Sequence, residues 1–187
     1  MRINRRWWFL GLVAAAFVAC RPPAAEPRPT EKETSAMKLT SKAFEDGKTI
    51  PVQHTGDGAD VSPPLQWSDA PAGTKSFALI CDDPDAPMGT WVHWVIYGLP
   101  PATKELPEKV AAEESLASGA RQGINDFRRI GYGGPLPPPG KPHRYFFKLY
   151  ALDAEVALKP RATKPELLRA MEGHILAQAQ LMGTYRR

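Results

Sequence analysis

The chain has 187 residues, which is enough for one domain with a substantial core plus additional segments. Its formal net charge is +4, but the loss of a predicted export signal containing Arg2, Arg5 and Arg6 would lower the charge to +1. Because no cluster of Lys or Arg occurs elsewhere, the sequence argues against a nucleic-acid-binding protein.

Residues 1–19 have the pattern of a bacterial export signal. Its arginines form a positive start, and the apolar stretch 7–18 follows. About 12 apolar residues are too few for a bilayer core that needs roughly 20, so a membrane-spanning helix is not expected. The sequence at 17–20, Phe-Val-Ala-Cys, resembles a lipobox with Cys20 as the lipidated residue. An ordinary secretory signal, cleaved within 14–16, is the alternative.

Residues 20–36 are predicted to be the lipidated cysteine and a proline-rich tether, because the segment lacks apolar periodicity. Several acyl chains at Cys20 would anchor the protein firmly, whereas one chain gives only marginal binding. Since Arg21 rather than Asp follows the cysteine, we expect an envelope lipoprotein in the outer membrane, facing the periplasm. If Cys20 carries lipid, Cys81 is the one remaining cysteine and no intramolecular disulfide can form.

The domain at 37–187 is predicted to be mostly β. Short apolar runs bounded by Gly, Pro and Asp indicate strands at 38–40, 48–52, 76–81, 91–97 and 144–152. The pattern predicts one helix at 163–180, where Thr163 and Glu166 form a capping box and Gly183 lies just past the end. A second, short helix is expected within 102–118. Together these elements predict a β-sandwich with a late helix packed on it.

Two histidines each follow a rigid Pro/Gly loop and begin a strand. Alternation of side chains in a strand puts His143 and Tyr145 on one face and Arg144 on the other. The same alternation predicts that His93 shares one face of its strand with Trp91, Val95 and Tyr97.

Asp83 and Asp85 lie on a loop that Pro84 and Pro87 stiffen. A carboxylate beside imidazoles favours protonated rings, and imidazolium, phenol and glycine N–H donors would suit a phosphate or carboxylate. Asp83 itself would repel an anion, so its expected role is to orient a histidine or to receive an amine. These residues alone leave open whether the histidines share a pocket or are ordinary core residues.

Catalysis is the rival interpretation of the same residues. His93, His143 and Asp83 are of the right types for a zinc site with an open position, but the usual local ligand spacings are absent. A serine hydrolase is less well supported, since no G-x-S-x-G sequence occurs. We therefore predict a non-catalytic protein without cofactor or metal.

The sequences DPDAP at 83–87, WVHWV at 91–95 and GGPLPPPGKPHRYFF at 133–147 are similar to the two signature regions of the phosphatidylethanolamine-binding (Raf kinase inhibitor-like) family, in its bacterial branch. The resemblance covers roughly 37–187. It implies an antiparallel β-sandwich with peripheral helices, including one C-terminal helix, and a pocket for phosphate or phospholipid head groups. By position in the motifs, the resemblance implies pocket residues at Asp83, Asp85, His93, Gly134, His143 and Tyr145.

The sequence differs at two positions from the pattern that is common in the bacterial branch of this family. Arg128 stands where a glycine is common, and together with Arg129 it adds positive charge that could reach a ligand or a protein. Leu136 replaces a common cysteine, which removes a thiol. The resemblance also implies an alternative function, the inhibition of an envelope hydrolase or peptidase through the pocket rim, with that protein as the partner.

Overall fold

Eight β-strands and one α-helix form the part of the chain that the structure, a computed structural model, describes, residues 36–187. The predicted signal, Cys20 and the tether up to residue 35 lie outside the described residues. In chain order the elements are β1 (Lys38–Ser41), a 3-10 turn (Val52–His54), β2 (Leu65–Ser68), β3 (Ser76–Asp83), β4 (Trp91–Leu99), β5 (Glu105–Leu106), β6 (Arg121–Gln122), β7 (His143–Leu152), α1 (Lys164–Met171) and β8 (Ile175–Tyr185).

The strands form two antiparallel sheets. The smaller sheet has the order β1-β2-β5, and the larger one has the order β6-β4-β3-β7-β8. β3 lies at the centre of the larger sheet, and all eight of its residues are buried. This explains why its residues 77–81 form a continuous apolar run rather than an alternating one, since both faces of the sheet are covered. The mostly β fold predicted from the sequence is confirmed.

Two apolar clusters cover the faces of the larger sheet. The first fills the space between the sheets and contains Phe77, Leu79 and Phe147. The second lies on the opposite face, where Leu167 and Met171 of α1 pack on the sheet. The helix is therefore peripheral to the sandwich.

The prediction of a helix at 163–180 is wrong beyond Met171. The helix begins as predicted, with the N–H of Thr163 donating to the Glu166 carboxylate at 2.7 Å. It ends early, and Gly173 takes a φ of 77° that suits glycine. The following residues form β8, which pairs along the length of β7. Tertiary pairing thus overrides a sequence pattern that fits a helix.

Two smaller predictions are also wrong. The segment 102–118 holds no helix, because Leu106 pairs with Leu65 in the short strand β5. The predicted strand at 48–52 is reduced to one bridge between Thr49 and Thr184. Within residues 36–187, no helix is both long and apolar enough to cross a membrane.

Candidate ligand-binding site

A cavity of about 230 Å³ lies where β3 ends and where β4 and β7 begin. These three strands are neighbours in the larger sheet, so their ends meet at one edge of it. The loops 84–90 and 133–142 form the mouth of the cavity. The residues that line it are Asp83, Ala86, Pro87, Met88, Trp91, His93, Phe127, Leu136, Pro137, Pro138, His143 and Tyr145.

An acid–imidazole pair joins two of the strands in this cavity. The Nδ1 atom of His143 lies 2.7 Å from Oδ2 of Asp83, and the two side chains are only 13% and 4% exposed. The other carboxylate oxygen of Asp83 accepts the N–H of Asp85 at 2.8 Å. Asp83 therefore fixes the orientation of the His143 ring and leaves Nε2 as the ring atom able to meet a ligand.

His93 reaches the cavity through an irregularity in β4. The pairing of β3 with β4 shifts register between Cys81 and Asp82, so His93 faces the cavity while Val95 and Tyr97 pack under α1. The prediction that His93 shares a face with those two residues is therefore wrong, because the bulge interrupts the alternation.

The tautomer of His93 follows from its hydrogen bond. Its Nδ1 lies 2.5 Å from the carbonyl oxygen of Gly133, and since a carbonyl can only accept, Nδ1 carries the proton. Burial lowers the pKa of His93, so the ring is neutral at neutral pH. Its Nε2 is then an acceptor. This differs from the expected second imidazolium donor.

Tyr145 supplies a neutral donor, and Trp91 forms part of the cavity wall. Burial, with a smaller contribution from the negative charge of Asp83, raises the pKa of Tyr145, so its hydroxyl keeps its proton. The Tyr145 ring meets the His93 ring edge-on, with the ring centres 5.1 Å apart. The indole nitrogen of Trp91 is buried and has no hydrogen-bond partner among the described residues. An indole N–H can only donate, so this buried group lacks an acceptor among the described residues.

Asp85 does not line the cavity. Both of its carboxylate oxygens accept from the Arg144 guanidinium, at 2.7 and 2.8 Å, and the backbone N–H of Arg144 donates to it at 3.0 Å. The side-chain hydrogen bond from Arg144 lowers the pKa of Asp85. Asp85 thus ties the loop after β3 to the start of β7, and its role is to position that loop.

Gly134 also stays out of the cavity lining. Its N–H donates to Oδ1 of Asp60 at 2.5 Å, so it is not free to bind an anion. A Cβ atom at this position would lie 2.6 Å from the carbonyl oxygen of His54. The glycine is therefore required for close packing of the loop that carries Leu136 and the following prolines.

The sequence interpretation missed the apolar wall of the cavity. Phe127 packs edge-on against the rings of Trp91 and His93, at 5.4 and 5.3 Å. Asp126 fixes this segment, since its N–H donates to the Val92 carbonyl and its carboxylate accepts the Val92 N–H. The Gly-Ile-Asn-Asp-Phe motif at 123–127 was the available signal for this wall.

The residues that line the cavity include no Lys or Arg. Arg129 pairs with Asp60 at 3.3 Å, and neither it nor Arg128 is among the lining residues. Across the described residues, no group of three or more His, Cys, Asp or Glu side chains is arranged to hold a metal ion. The hydrogen-bond donors that line the cavity are therefore the His143 imidazole and the Tyr145 phenol.

Comparisons with known proteins agree with this architecture. The family model for phosphatidylethanolamine-binding protein matches residues 40–186. The UPF0098 protein of Methanothermobacter thermautotrophicus is 52% identical over 151 residues, which are 81% of this chain and 99% of that relative. A UPF0098 protein of Aquifex aeolicus is 51% identical and shares 81% of this chain and 89% of its own length.

Two solved structures are similar to the described domain. A putative phosphatidylethanolamine-binding protein homolog from Chlamydia trachomatis has a TM-score of 0.75 and 44% identity, covering 81% of this chain and 98% of that one. Escherichia coli YbcL, a member of the same family, has a TM-score of 0.76 and 34% identity, covering 82% and 99%. The chain therefore belongs to the phosphatidylethanolamine-binding protein family.

Proposed function

We propose that the cavity binds a small phosphate-bearing ligand, either free or as a phospholipid head group. The observation that carries this proposal is the Asp83–His143 pair at 2.7 Å beside a neutral donor, Tyr145. When protonated, His143 presents an Nε2–H donor whose charge Asp83 balances. A phosphate can then accept from the imidazolium and the phenol together.

The same geometry favours a head group that also carries an amine. Asp83 is negative and His93 offers an acceptor at Nε2, so an ammonium group could be received beside the phosphate. A cavity of about 230 Å³ is smaller than the sites of most drug-sized ligands. Phosphoethanolamine is therefore a suitable probe.

We propose that the protein binds without catalysis. The residues lining the cavity include no Ser, Thr, Cys or Lys that could act as a nucleophile. The acid–imidazole pair has no such group beside it to activate. Its carboxylate serves to hold the ring for binding.

Titration of residues 21–187 followed by NMR tests the binding proposal. Nearly the full length of each of two relatives aligns with 81% of this chain, so a domain of that size folds on its own in those proteins. With phosphoethanolamine or inorganic phosphate, we expect chemical-shift changes concentrated at Asp83, His93, His143 and Tyr145. Saturating ligand that leaves these signals unmoved would exclude the phosphate site.

We further propose that lipid on Cys20 holds the domain at the outer membrane, facing the periplasm. The support is the lipobox-like sequence at 17–20 and the proline-rich tether at 20–36. In a bacterial host, Cys20→Ser should move the protein from the membrane fraction to the soluble fraction of the envelope. Unchanged membrane retention of the variant would exclude this anchor.

Inhibition of an envelope hydrolase or peptidase is a second candidate function. The observation that favours it is the apolar rim of the cavity, where Met88 is 90% exposed and Leu136 is 48% exposed. Such side chains suit contact with a protein surface. If phosphate ligands leave the cavity signals unmoved while an envelope peptidase shifts Met88 and Leu136, inhibition replaces ligand binding as the function.

A further inference from the structure

The peptide group between Gly133 and Gly134 is held at both ends. Its carbonyl oxygen, which belongs to Gly133, accepts from Nδ1 of His93 at 2.5 Å. Its N–H, which belongs to Gly134, donates to Oδ1 of Asp60 at 2.5 Å. In a trans peptide these two groups point in opposite directions. One peptide group therefore connects a carboxylate on one side with the ring of a cavity histidine on the other.

Because this peptide joins two glycines, backbone sterics alone do not determine which way it faces. Reversing a peptide changes ψ of the residue before it and φ of the residue after it, and glycine permits a wide range of both. In the reversed orientation the N–H would face Nδ1 of His93, and the carbonyl oxygen would face the carboxylate of Asp60. Two acceptors without a proton between them repel each other, so Asp60 disfavours the reversed orientation.

Asp60 is itself held in place. Its Oδ2 accepts from the guanidinium of Arg129 at 3.3 Å, and its N–H donates to the carbonyl of Thr55 at 3.2 Å. The N–H of Arg129 in turn donates to Oδ1 of Asn125 at 3.0 Å. The guanidinium also lies over the ring of Phe127, 5.2 Å from its centre. The carboxylate thus has a fixed position from which to orient the peptide.

We propose that Asp60 is a positioning residue that sets the tautomer of His93 through the peptide between Gly133 and Gly134. The tautomer of a neutral imidazole follows from the hydrogen bond that one of its nitrogens makes. With the carbonyl directed at Nδ1, that nitrogen carries the proton and Nε2 keeps a lone pair. With the peptide reversed, Nδ1 would accept and the proton would be on Nε2. Asp60 is not among the residues that line the cavity, so it acts through the peptide.

The tautomer of His93 determines which ligands the cavity favours. A lone pair on Nε2, in the same cavity as the carboxylate of Asp83, favours a ligand that brings a donor such as an ammonium group. A proton on Nε2 would instead add a donor to those of His143 and Tyr145, and would favour a ligand that only accepts. This step rests on the proposed binding of phosphate-bearing ligands, whereas the assignment of the tautomer does not.

Long-range proton–nitrogen NMR of the histidine rings in residues 21–187 at neutral pH tests the tautomer directly, since protonated and unprotonated ring nitrogens differ in chemical shift. We expect wild-type His93 to carry its proton on Nδ1. In Asp60→Ala the N–H of Gly134 loses its acceptor, so we expect a large part of the His93 population to change to the Nε2–H tautomer. Asp60→Asn should keep the wild-type tautomer, because its side-chain oxygen can still accept and asparagine tolerates the φ of 53° at this position.

Asp57→Ala is the matched control. Asp57 and Asp60 have the same side-chain exposure, 29%, and each pairs with an arginine. The carboxylate of Asp57 also accepts from Tyr185 at 2.9 Å, and it does not bind the peptide between the two glycines. This variant should therefore keep the wild-type tautomer of His93.

The wild-type spectrum tests the proposal even where a variant does not fold. A wild-type His93 ring protonated on Nε2 overturns the proposal. So does a folded Asp60→Ala variant in which His93 stays wholly in the Nδ1–H form. The ring of His143, which Asp83 holds, reports whether the site is folded, since its signals should match those of the wild type.

Isothermal titration calorimetry with phosphoethanolamine and with inorganic phosphate tests the effect on specificity. Asp60→Ala should reduce the preference for phosphoethanolamine over phosphate roughly tenfold, the lower end of the range for a hydrogen bond to a charged group. An unchanged preference together with a changed tautomer would overturn the role in specificity. If neither ligand binds the wild type while the tautomers respond as expected, the proposed function fails and the positioning role of Asp60 stands.

Discussion

Replacement of His143 by glutamine is expected to weaken the binding of phosphoethanolamine roughly 10- to 100-fold, the range for loss of a hydrogen bond to a charged group. Glutamine can still donate to Asp83, which is 4% exposed, so the buried carboxylate keeps a partner. What is lost is the imidazole nitrogen Nε2, which can donate to a ligand in the cavity. Isothermal titration calorimetry on residues 21–187 measures the change.

His174→Gln is the matched control for this substitution. His174 pairs with Asp153 at 2.8 Å, nearly the distance of the His143–Asp83 pair, but its side chain is 48% exposed and lies outside the cavity lining. The control should bind phosphoethanolamine with wild-type affinity. Equal losses in the two variants, or none in His143→Gln, would contradict the role given to His143.

The fold was predictable where the sequence pattern has a single interpretation. The run at 76–81 is apolar, β-branched in part and too short for a typical helix, and it forms the centre of β3. The segment after Gly173 was not predictable in the same way. Its apolar residues fit a helical stripe, and only the availability of β7 as a pairing partner makes it a strand.

The sequence predicted which residues line the cavity, but it did not predict how they are arranged. His93, His143, Asp83 and Tyr145 all line the cavity, as the family motifs imply. The role of Asp85 depends on where Arg144 points. No spacing rule predicts that a bulge in β4 separates His93 from Val95, since register is a property of the pairing between strands.

A second charged cluster, on the face of the larger sheet under α1, has a structural role. Asp82 of β3 is 1% exposed, and its carboxylate accepts from the ammonium groups of Lys148 at 2.9 Å and Lys164 at 2.5 Å. Lys148 lies on β7 and Lys164 begins α1, so the carboxylate joins the helix to two strands. Both lysines are mostly buried, at 27% and 21% exposure, so solvent screens these ion pairs only in part.

Replacing both lysines by methionine is expected to lower the free energy of unfolding by about 3 kcal/mol or more, because Asp82 is then a buried charge without a counter-charge. Each single variant should lose less than half of this, since the other lysine still pairs with the carboxylate. Urea denaturation of residues 21–187 measures these changes. Lys104→Met, at an exposed lysine away from the cluster, should change stability by no more than about 0.5 kcal/mol.

The triple variant in which Asp82→Leu is added to the two methionines distinguishes a buried charge from lost packing. With no charge left in the cluster, stability should return to the wild-type value or exceed it, as apolar replacement of buried ion pairs often does. If the double variant is destabilised and the triple variant is no better, the lysine side chains matter through their packing on α1 and not through Asp82. The same conclusion would follow if the stability losses of the two single lysine variants add up to the loss of the double variant. Two lysines that pair with one carboxylate should instead show a double loss larger than this sum.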